Sequence, residues 1–393
     1  MVKFLQVVFV FLLVIVSFRF FDARFLNESF TNYFVLIYVL FAIALSIPYV
    51  LRSPMGFIFP VQLIILSTLI SIFMAKISWN QSFMDSLIIT VPLMLWFFFF
   101  YLLHIKISIR IIEGIILFYG ILYVIIFFYQ SVNNQTVLFG NSEFMEGRGV
   151  VRIIIAGGGI FFLSSFIAIN KLTTQKKGRW LWISFSILGI VIPLLQATRQ
   201  FIAGVLLIFL YHFIKDFSPL RKLIITACFV LFISYLFTTS DNTIIKGIIE
   251  AQEETSQLGK EYIRVLSGTY FLTEFSPDNV SKVLGNGVPY EGISDYGKFV
   301  EDLYNLNFFL SDVGIIAMYV MFGILSVIAY ILIWVRSFTL SVPEEYHYLK
   351  YYLWFLLATS LTSDHVYSYD YLISTVFVLY IYQVKFEEET LSP

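Results

Sequence analysis

The chain has 393 residues, of which 59% are hydrophobic, 19% aromatic and only 13% charged, and its formal net charge is −1. Soluble domains carry about 25% charged residues. The composition therefore excludes an ordinary soluble domain, and the charge balance predicts no nucleic-acid partner. A single cysteine, Cys228, rules out a disulfide framework and a thiolate metal site. With no Gly-rich nucleotide loop and no Cys/His metal spacing, no cofactor and no metal are expected.

Apolar runs close to the length of a membrane-spanning helix follow one another along the chain. They are continuous rather than alternating, which predicts helices, and an open sheet edge would lack hydrogen-bond partners in lipid. We predict an all-α polytopic membrane protein, a single transmembrane helical domain over residues 1–393 with about twelve transmembrane helices. The predicted spans cover about 4–20, 33–51, 57–75, 84–103, 111–129, 151–169, 180–195, 201–214, 222–238, 308–335, 350–363 and 367–384.

Basic residues near the span ends predict the orientation. Most Lys and Arg outside the longest connection lie on one side, for example in the short loops 171–179 and 215–222. Because cytoplasmic loops carry the excess of basic residues, this side is cytoplasmic, and so are both termini. The polar segment 239–307, between spans 9 and 10, is then one long extracytoplasmic loop. Polar chemistry in such a chain is expected there.

Arg199 lies in the turn 196–200 between two unusually short predicted spans. Spans of 14 to 16 residues at about 1.5 Å per residue fall short of the ~30 Å hydrocarbon core. The turn is therefore expected below the membrane surface, where an arginine needs a partner, since its cost at the membrane centre is on the order of 3 kcal/mol or more. One reading is a snorkelling arginine paired with a carboxylate of another span. The other is a binder of an anionic lipid headgroup.

The long loop contains two patterns with helical spacing of apolar residues, at 244–249 and 262–275. The second would bring Arg264 towards the same cavity as Arg199. The segment 285–289, Gly-Asn-Gly-Val-Pro, predicts a tight turn, because adjacent Gly and Pro favour turns. Glu301 and Asp302 precede the predicted tenth span, either as a helix-start pair favoured by the helix dipole or as carboxylates at the mouth of a cavity.

Other candidates lie outside this loop. Arg148 and Arg152 flank the start of the predicted sixth span and are either interface anchors or further anion-binding groups. His365 is the only histidine on the predicted outer side. It is either a surface histidine or a general base that titrates near neutral pH.

Several short motifs resemble the O-antigen polymerases (Wzy) and the related O-antigen ligases of bacterial inner membranes. They are 198–201, Thr-Arg-Gln-Phe, at the start of an apolar span; 262–264, Tyr-Ile-Arg; 284–287, Leu-Gly-Asn-Gly; Asp302; and 310–315, Leu-Ser-Asp-Val-Gly-Ile. The resemblance covers about residues 181–331. The ligases have a histidine in the long loop, which this chain lacks, so the polymerase branch is favoured.

The resemblance implies a GT-C-type membrane glycosyltransferase without a metal or cofactor. Its substrate would be an undecaprenyl-pyrophosphate-linked oligosaccharide at the outer face of the inner membrane, in contact with membrane lipid. It is also compatible with a chain-length regulator and a flippase as partners. Arg199 and Arg264, with Arg148 and Arg152, would then hold the pyrophosphate.

In the corresponding mechanism, Asp302, or Glu301 as second choice, takes the proton from the acceptor hydroxyl, and the anomeric carbon is inverted. Two alternatives stay open. A ligase would transfer the glycan to a lipid acceptor with His365 as its base. A transporter of the same lipid predicts two related halves and polar or broken spans near the midplane.

Overall fold

The computed structural model describes residues 2–133, 135–145, 150–239, 257–259 and 262–391. The chain is 77% helical, and one two-stranded hairpin is the only sheet within those ranges. Four helical stretches among the described residues are long and apolar enough to cross a membrane, namely Glu28–Tyr49, Ile58–Trp79, Phe83–Ile105 and Ile109–Val132. The helical architecture supports the predicted polytopic membrane protein.

Each predicted span overlaps a helix. The helices are α1 Val2–Ser17, α2 Glu28–Ser46, α3 Ile58–Trp79, α4 Phe83–Thr90, α5 Phe98–Ile105, α6 Ile109–Val132, α7 Gly158–Thr174, α8 Arg179–Leu195, α9 Arg199–Ile214, α10 Pro219–Thr239, α11 Ile263–Thr273, α12 Asn279–Leu284, α13 Asp295–Tyr304, α14 Ile315–Phe322, α15 Ile324–Thr339, α16 Tyr348–Thr359 and α17 Tyr369–Leu391. The hairpin strands are β1 Asn141–Met145 and β2 Val150–Ile154. Short 3₁₀ segments lie at Ile47–Tyr49, Val91–Phe97, Leu310–Asp312, Glu344–Tyr346 and Asp364–Val366.

Two helices form the centre of the bundle. Every residue of α7 from Gly159 to Asn170 is buried, and α17 is buried from Tyr371 to Gln383. A helix that is apolar on all sides belongs in the interior. Helices α6, α8 and α16 pack around α7, and α17 packs against it directly.

The predicted sixth span is wrong at its start. Residues 150–154 form strand β2, which pairs antiparallel with β1 so that Glu143 lies opposite Arg152. The helix begins only at Gly158, after Gly157 in the left-handed region (φ 94°). The run 150–155 consists mostly of Val and Ile, which pack well on a pleated strand, so its hydrophobicity indicates burial rather than a helix.

The tenth span, predicted as one helix over 308–335, is also wrong in detail. It consists of the segment Leu310–Asp312, then α14 and α15, which are separated at Gly323 (φ 77°, ψ −175°). A Cβ on Gly323 would lie 2.4 Å from the carbonyl carbon of Leu284. The helix breaks here because another part of the backbone passes in direct contact.

That neighbouring backbone continues into the segment 285–289, where no turn is formed in place of the predicted tight turn, and Gly285 (φ 87°) and Gly287 (φ 81°) have positive φ. The backbone N–H of Asn286 donates to the Val320 carbonyl (2.7 Å), and that of Gly287 donates to the Met321 carbonyl (2.9 Å). Farther upstream, the predicted helix at 262–275 is present as α11. The predicted helix at 244–249 lies outside the described residues.

Candidate functional site

Three arginines from separate parts of the chain line one cavity of about 530 Å³. Arg152 comes from strand β2, Arg199 from the first position of α9, and Arg264 from the first turn of α11. We call this space the arginine cavity. The structure thus brings together three of the four arginines singled out in the sequence, while Arg148 lies outside the described residues.

Arg199 owes its position to the break between α8 and α9. Helix α8 ends at Leu195, Ala197 has a left-handed backbone (φ 50°), and Thr198 is extended as the N-cap of α9. The chain therefore reverses within three residues, as the two short predicted spans indicated. The amide of buried Gln196 donates to the Tyr123 hydroxyl and to the Ile153 carbonyl, both at 3.2 Å. This amide fixes the turn against α6 and against the strand that carries Arg152.

Arg264 is oriented by a carboxylate. Its Nε donates to Oδ2 of Asp312 at 3.3 Å, and the two side chains are 31% and 41% exposed. Such a half-exposed pair contributes little to stability, on the order of 1 kcal/mol or less. Its effect is geometric, because it holds one edge of the guanidinium at the wall of the cavity that Arg264 lines.

The connection between α16 and α17 forms another wall of the cavity and carries Asp364 and His365. The backbone N–H of Ile315 donates to the Ser360 carbonyl at 2.6 Å, and the hydroxyl of Tyr367 donates to the Leu310 carbonyl at 3.1 Å. These bonds tie the connection to the segment that carries Asp312.

His365 is buried rather than exposed at the surface. Its ring stacks on Tyr371 at 3.9 Å between centroids and lies 4.6 Å from the ring of Phe201, while Nδ1 is 3.1 Å from the Thr359 hydroxyl. Burial lowers the pKa of this imidazole to about 3. The ring is therefore neutral at pH 7 and a weak base.

Asp364 is partly exposed to the cavity. The pKa of its carboxyl is raised to about 6, above all because the group is removed from water. The Asp312 carboxylate also raises this pKa, whereas hydrogen bonds from its own backbone, Ser368 and Ser363 lower it. A third carboxylate, Asp370, also lines the cavity, and its Oδ1 accepts from the backbone N–H of Gly157 at 3.3 Å. Asp370 thereby joins the start of α17 to the start of α7.

Glu301 and Asp302, the predicted bases, are not among the residues that line the arginine cavity. Both lie on α13, and Asp302 is exposed. Sequence reasoning missed Asp312, Asp364 and Asp370 as site residues. Their common signal was available, since each is an acidic residue within a few positions of a predicted span end on the same side as Arg199.

No known protein family, curated protein or solved structure matches this chain.

Proposed function

We propose that this protein is a membrane glycosyltransferase that polymerises undecaprenyl-pyrophosphate-linked oligosaccharides. In this proposal the chain is GT-C-like, crosses the bacterial inner membrane about twelve times and keeps both termini in the cytoplasm. The arginine cavity opens towards the outer face, where lipid-linked repeat units of O-antigen, capsule or exopolysaccharide are joined. One observation carries the proposal: three guanidinium groups, from strand β2, α9 and α11, line the same cavity.

The chemistry follows from the charge of the leaving group. A diphosphate between a lipid and a sugar carries two negative charges, and it carries three once the bond to the anomeric carbon is broken. Guanidinium groups stay protonated and bind phosphate oxygens two at a time. Donors fixed in a partly dry cavity stabilise developing charge better than water does. Arg152, Arg199 and Arg264 are therefore assigned to the pyrophosphate.

The depth of the site suits a lipid-linked substrate. Helices α8 and α9 have 17 and 16 residues, about 26 and 24 Å at 1.5 Å per residue, against a hydrocarbon core of ~30 Å. Arg199 then lies below the membrane surface. A pyrophosphate joined to an isoprenoid chain reaches this depth with its lipid still in the bilayer.

The ligase alternative needs His365 as its base. The neutral, stacked ring with a pKa of about 3 has little affinity for a proton at pH 7. This environment favours the polymerase, whose base is a carboxylate.

The test is polymer formation by the purified protein in nanodiscs, with EDTA present. The donor is lipid-linked oligosaccharide extracted from source cells that lack the protein, and the product is a glycan ladder on a gel. Wild type is expected to form the ladder. Each of the variants Arg152→Lys, Arg199→Lys and Arg264→Lys is expected to lower the rate by about 10²-fold or more, because the bidentate contact is lost.

Arg221→Lys is the matched control, since Arg221 is exposed near the start of α10 and does not line the cavity. Thermal stability by gel filtration shows that each variant is folded. Normal ladders from the three cavity variants would refute the arginine clamp. If wild type adds a single glycan to a lipid acceptor and makes no ladder, the protein is a ligase.

A further inference from the structure

A second cavity, of about 860 Å³, adjoins the arginine cavity. We call it the side cavity. The two cavities share Ser311, Asp364 and Ser368. The Asp364 carboxylate therefore lies on a common wall, where groups bound in the two cavities would meet.

The two cavities differ in charge. The side cavity is lined by the carboxylates of Glu28, Glu291 and Asp364 and by one arginine, Arg19. That guanidinium donates to Asn32 Oδ1 at 2.7 Å and lies 3.8 Å from the carboxylate of Asp22. The arginine cavity matches its three arginines with the carboxylates of Asp312, Asp364 and Asp370, whereas carboxylates outnumber arginine three to one in the side cavity. An anion is therefore less disfavoured in the arginine cavity than in the side cavity, where carboxylates can accept hydrogen bonds from an uncharged ligand rich in hydroxyl groups.

Tyrosines supply the rest of the polar end. They are Tyr33, Tyr290, Tyr304, Tyr367 and Tyr369. The Tyr304 hydroxyl donates to Glu291 Oε1, and its ring stacks on Phe309 at 5.0 Å. A sugar ring has an apolar C–H face and a rim of hydroxyls, and tyrosine offers a flat apolar face with a polar tip. This end therefore matches a saccharide.

Along α2 the lining of the side cavity changes from polar residues at 28–33 to apolar residues at 35–39. The apolar lining consists of Val35, Leu36 and Val39 of α2, Ile88 and Ile89 of α4, and Leu93 and Leu95 of the following 3₁₀ segment. An isoprenoid chain fits such a surface, because burial of apolar area is its main source of affinity. A lipid-linked oligosaccharide would thus place its lipid at one end and its sugars at the end that contains Asp364.

We propose that the side cavity binds the acceptor saccharide and that Asp364, on the wall shared with the arginine cavity, takes the proton from its attacking hydroxyl. This inference rests on the proposed function. The acceptor oxygen forms a bond to the anomeric carbon of the donor, and the bond from that carbon to the pyrophosphate oxygen breaks. The electron pair leaves with the pyrophosphate beside the arginines, and the hydroxyl proton ends on Asp364. No oxidant, reductant or further reactant is needed.

The raised pKa of Asp364, about 6, agrees with this role. The group is ionised at pH 7 yet is a stronger base than a solvated carboxylate, and a base works best when its pKa is near the working pH. Glu291, also in the side cavity, is exposed and bonded to Tyr304. Its place suits binding of the acceptor.

The experiment separates donor from acceptor. The donor is the extracted lipid-linked oligosaccharide. The acceptor is the same oligosaccharide on a short alkyl chain, without pyrophosphate. Turnover gives kcat and the KM for the acceptor, and a separate assay gives the Kd for undecaprenyl pyrophosphate in nanodiscs. Asp364→Asn is expected to lower kcat by about 10²- to 10⁴-fold while leaving that Kd within about twofold.

Glu291→Gln and Tyr304→Phe are expected to raise the acceptor KM by about 2- to 10-fold, because each variant loses one hydrogen bond. The Kd for undecaprenyl pyrophosphate should not change. Asp295→Asn is the matched control, because Asp295 is exposed on α13 and paired only with Lys298 among the described residues. The inference is refuted if Asp364→Asn keeps its kcat. It is also refuted if the Glu291 and Tyr304 variants weaken binding of undecaprenyl pyrophosphate instead of binding of the acceptor. In both cases the arginine-dependent polymerase stands. A wild type that forms no polymer refutes the proposed function and this inference together.

Discussion

Gly314 offers a sharp test of how the fold positions the site. Its backbone (φ 49°, ψ −113°) lies in a region that only glycine adopts readily. A Cβ at this position would lie 2.0 Å from the carbonyl oxygen of Ser360 and 2.8 Å from that of Ser363. Gly314 therefore allows the segment that carries Asp312 to touch the connection that carries Asp364. Gly314→Ala should push these two walls of the arginine cavity apart.

The magnitude has two parts. The forced backbone conformation costs about 1–3 kcal/mol. Ordinary C···O contacts lie near 3.3 Å, so the Ser360 carbonyl must retreat by roughly 1 Å. That oxygen accepts the Ile315 N–H at 2.6 Å, and weakening this bond adds about 0.5–1.5 kcal/mol. We expect about 2–4 kcal/mol of destabilisation. A misplacement of about 1 Å near the reacting groups lowers the rate by about 10²-fold.

Gly178→Ala separates these effects. Gly178 also has a positive φ (71°), but its Cβ would meet nothing closer than Trp182 Nε1 at 3.5 Å. It lies at the other end of α8 from the turn before Arg199. Gly178→Ala should lose about 1 kcal/mol and keep full polymer formation, whereas Gly314→Ala loses most of it. The readouts are the glycan ladder and thermal stability by gel filtration. If the two variants have equal activity, the two-wall explanation is refuted.

Three further predictions follow from the same geometry. In the ladder assay, Asp302→Asn and Glu301→Gln should retain activity within about twofold, because both residues lie outside the arginine cavity; loss of the ladder would restore α13 as the source of the base. Asn286→Ala should destabilise the fold by about 2–4 kcal/mol in a thermal unfolding assay. The buried Asn286 amide accepts a hydrogen bond from Trp79 Nε1 at 3.0 Å and donates one to the Val320 carbonyl at 3.0 Å. An unchanged unfolding midpoint would contradict this prediction. Lowering the pH from 7 to 5 should reduce the free energy of unfolding of wild type by about 2 kcal/mol more than that of His365→Gln. The reason is that the unfolded imidazole (pKa about 6.5) takes up a proton that the folded ring (pKa about 3) does not. If the stability of the two proteins falls equally with pH, the burial of a neutral ring is refuted.

The sequence predicted the elements of the fold better than their details. Continuous apolar runs identify helices because a chain in lipid must satisfy its backbone internally. They do not distinguish a buried strand from a helix over a few residues, and for that reason β2 was assigned to a span. The break at Gly323 depends on a contact with Gly285, 38 positions away in the chain. Such a contact leaves no periodic signal.

The arginines were predictable and the carboxylates were not. Arg199 stood out because two short spans flank it, and Arg264 because it starts an amphipathic helix. Asp312 and Asp364 look in the sequence like ordinary charged residues at span ends, because a charged side chain there can stay hydrated. Only the approach of the two segments at Gly314 brings them to one cavity, where burial, and after it the charge of Asp312, raises the pKa of Asp364. Asp302, by contrast, was favoured as the base because it lies between the motifs at 284–287 and 310–315 in the order that resembles the O-antigen polymerases.

In the proposed reaction the carboxylates of the site have separate roles, and that separation would let one cavity wall serve both reactants. Here Asp312 takes the ion pair with Arg264, and its charge raises the pKa of Asp364 instead of lowering it. The arginine is thereby oriented without neutralising the group that is proposed to accept a proton. In the proposed transfer, negative charge would grow at the pyrophosphate beside the arginines and disappear at Asp364 as it is protonated. If the roles were exchanged, an arginine paired with Asp364 would lower the pKa of that carboxyl and make it a weaker base. Asp312 would then be the unpaired carboxylate, but it does not line the side cavity that is proposed to bind the acceptor.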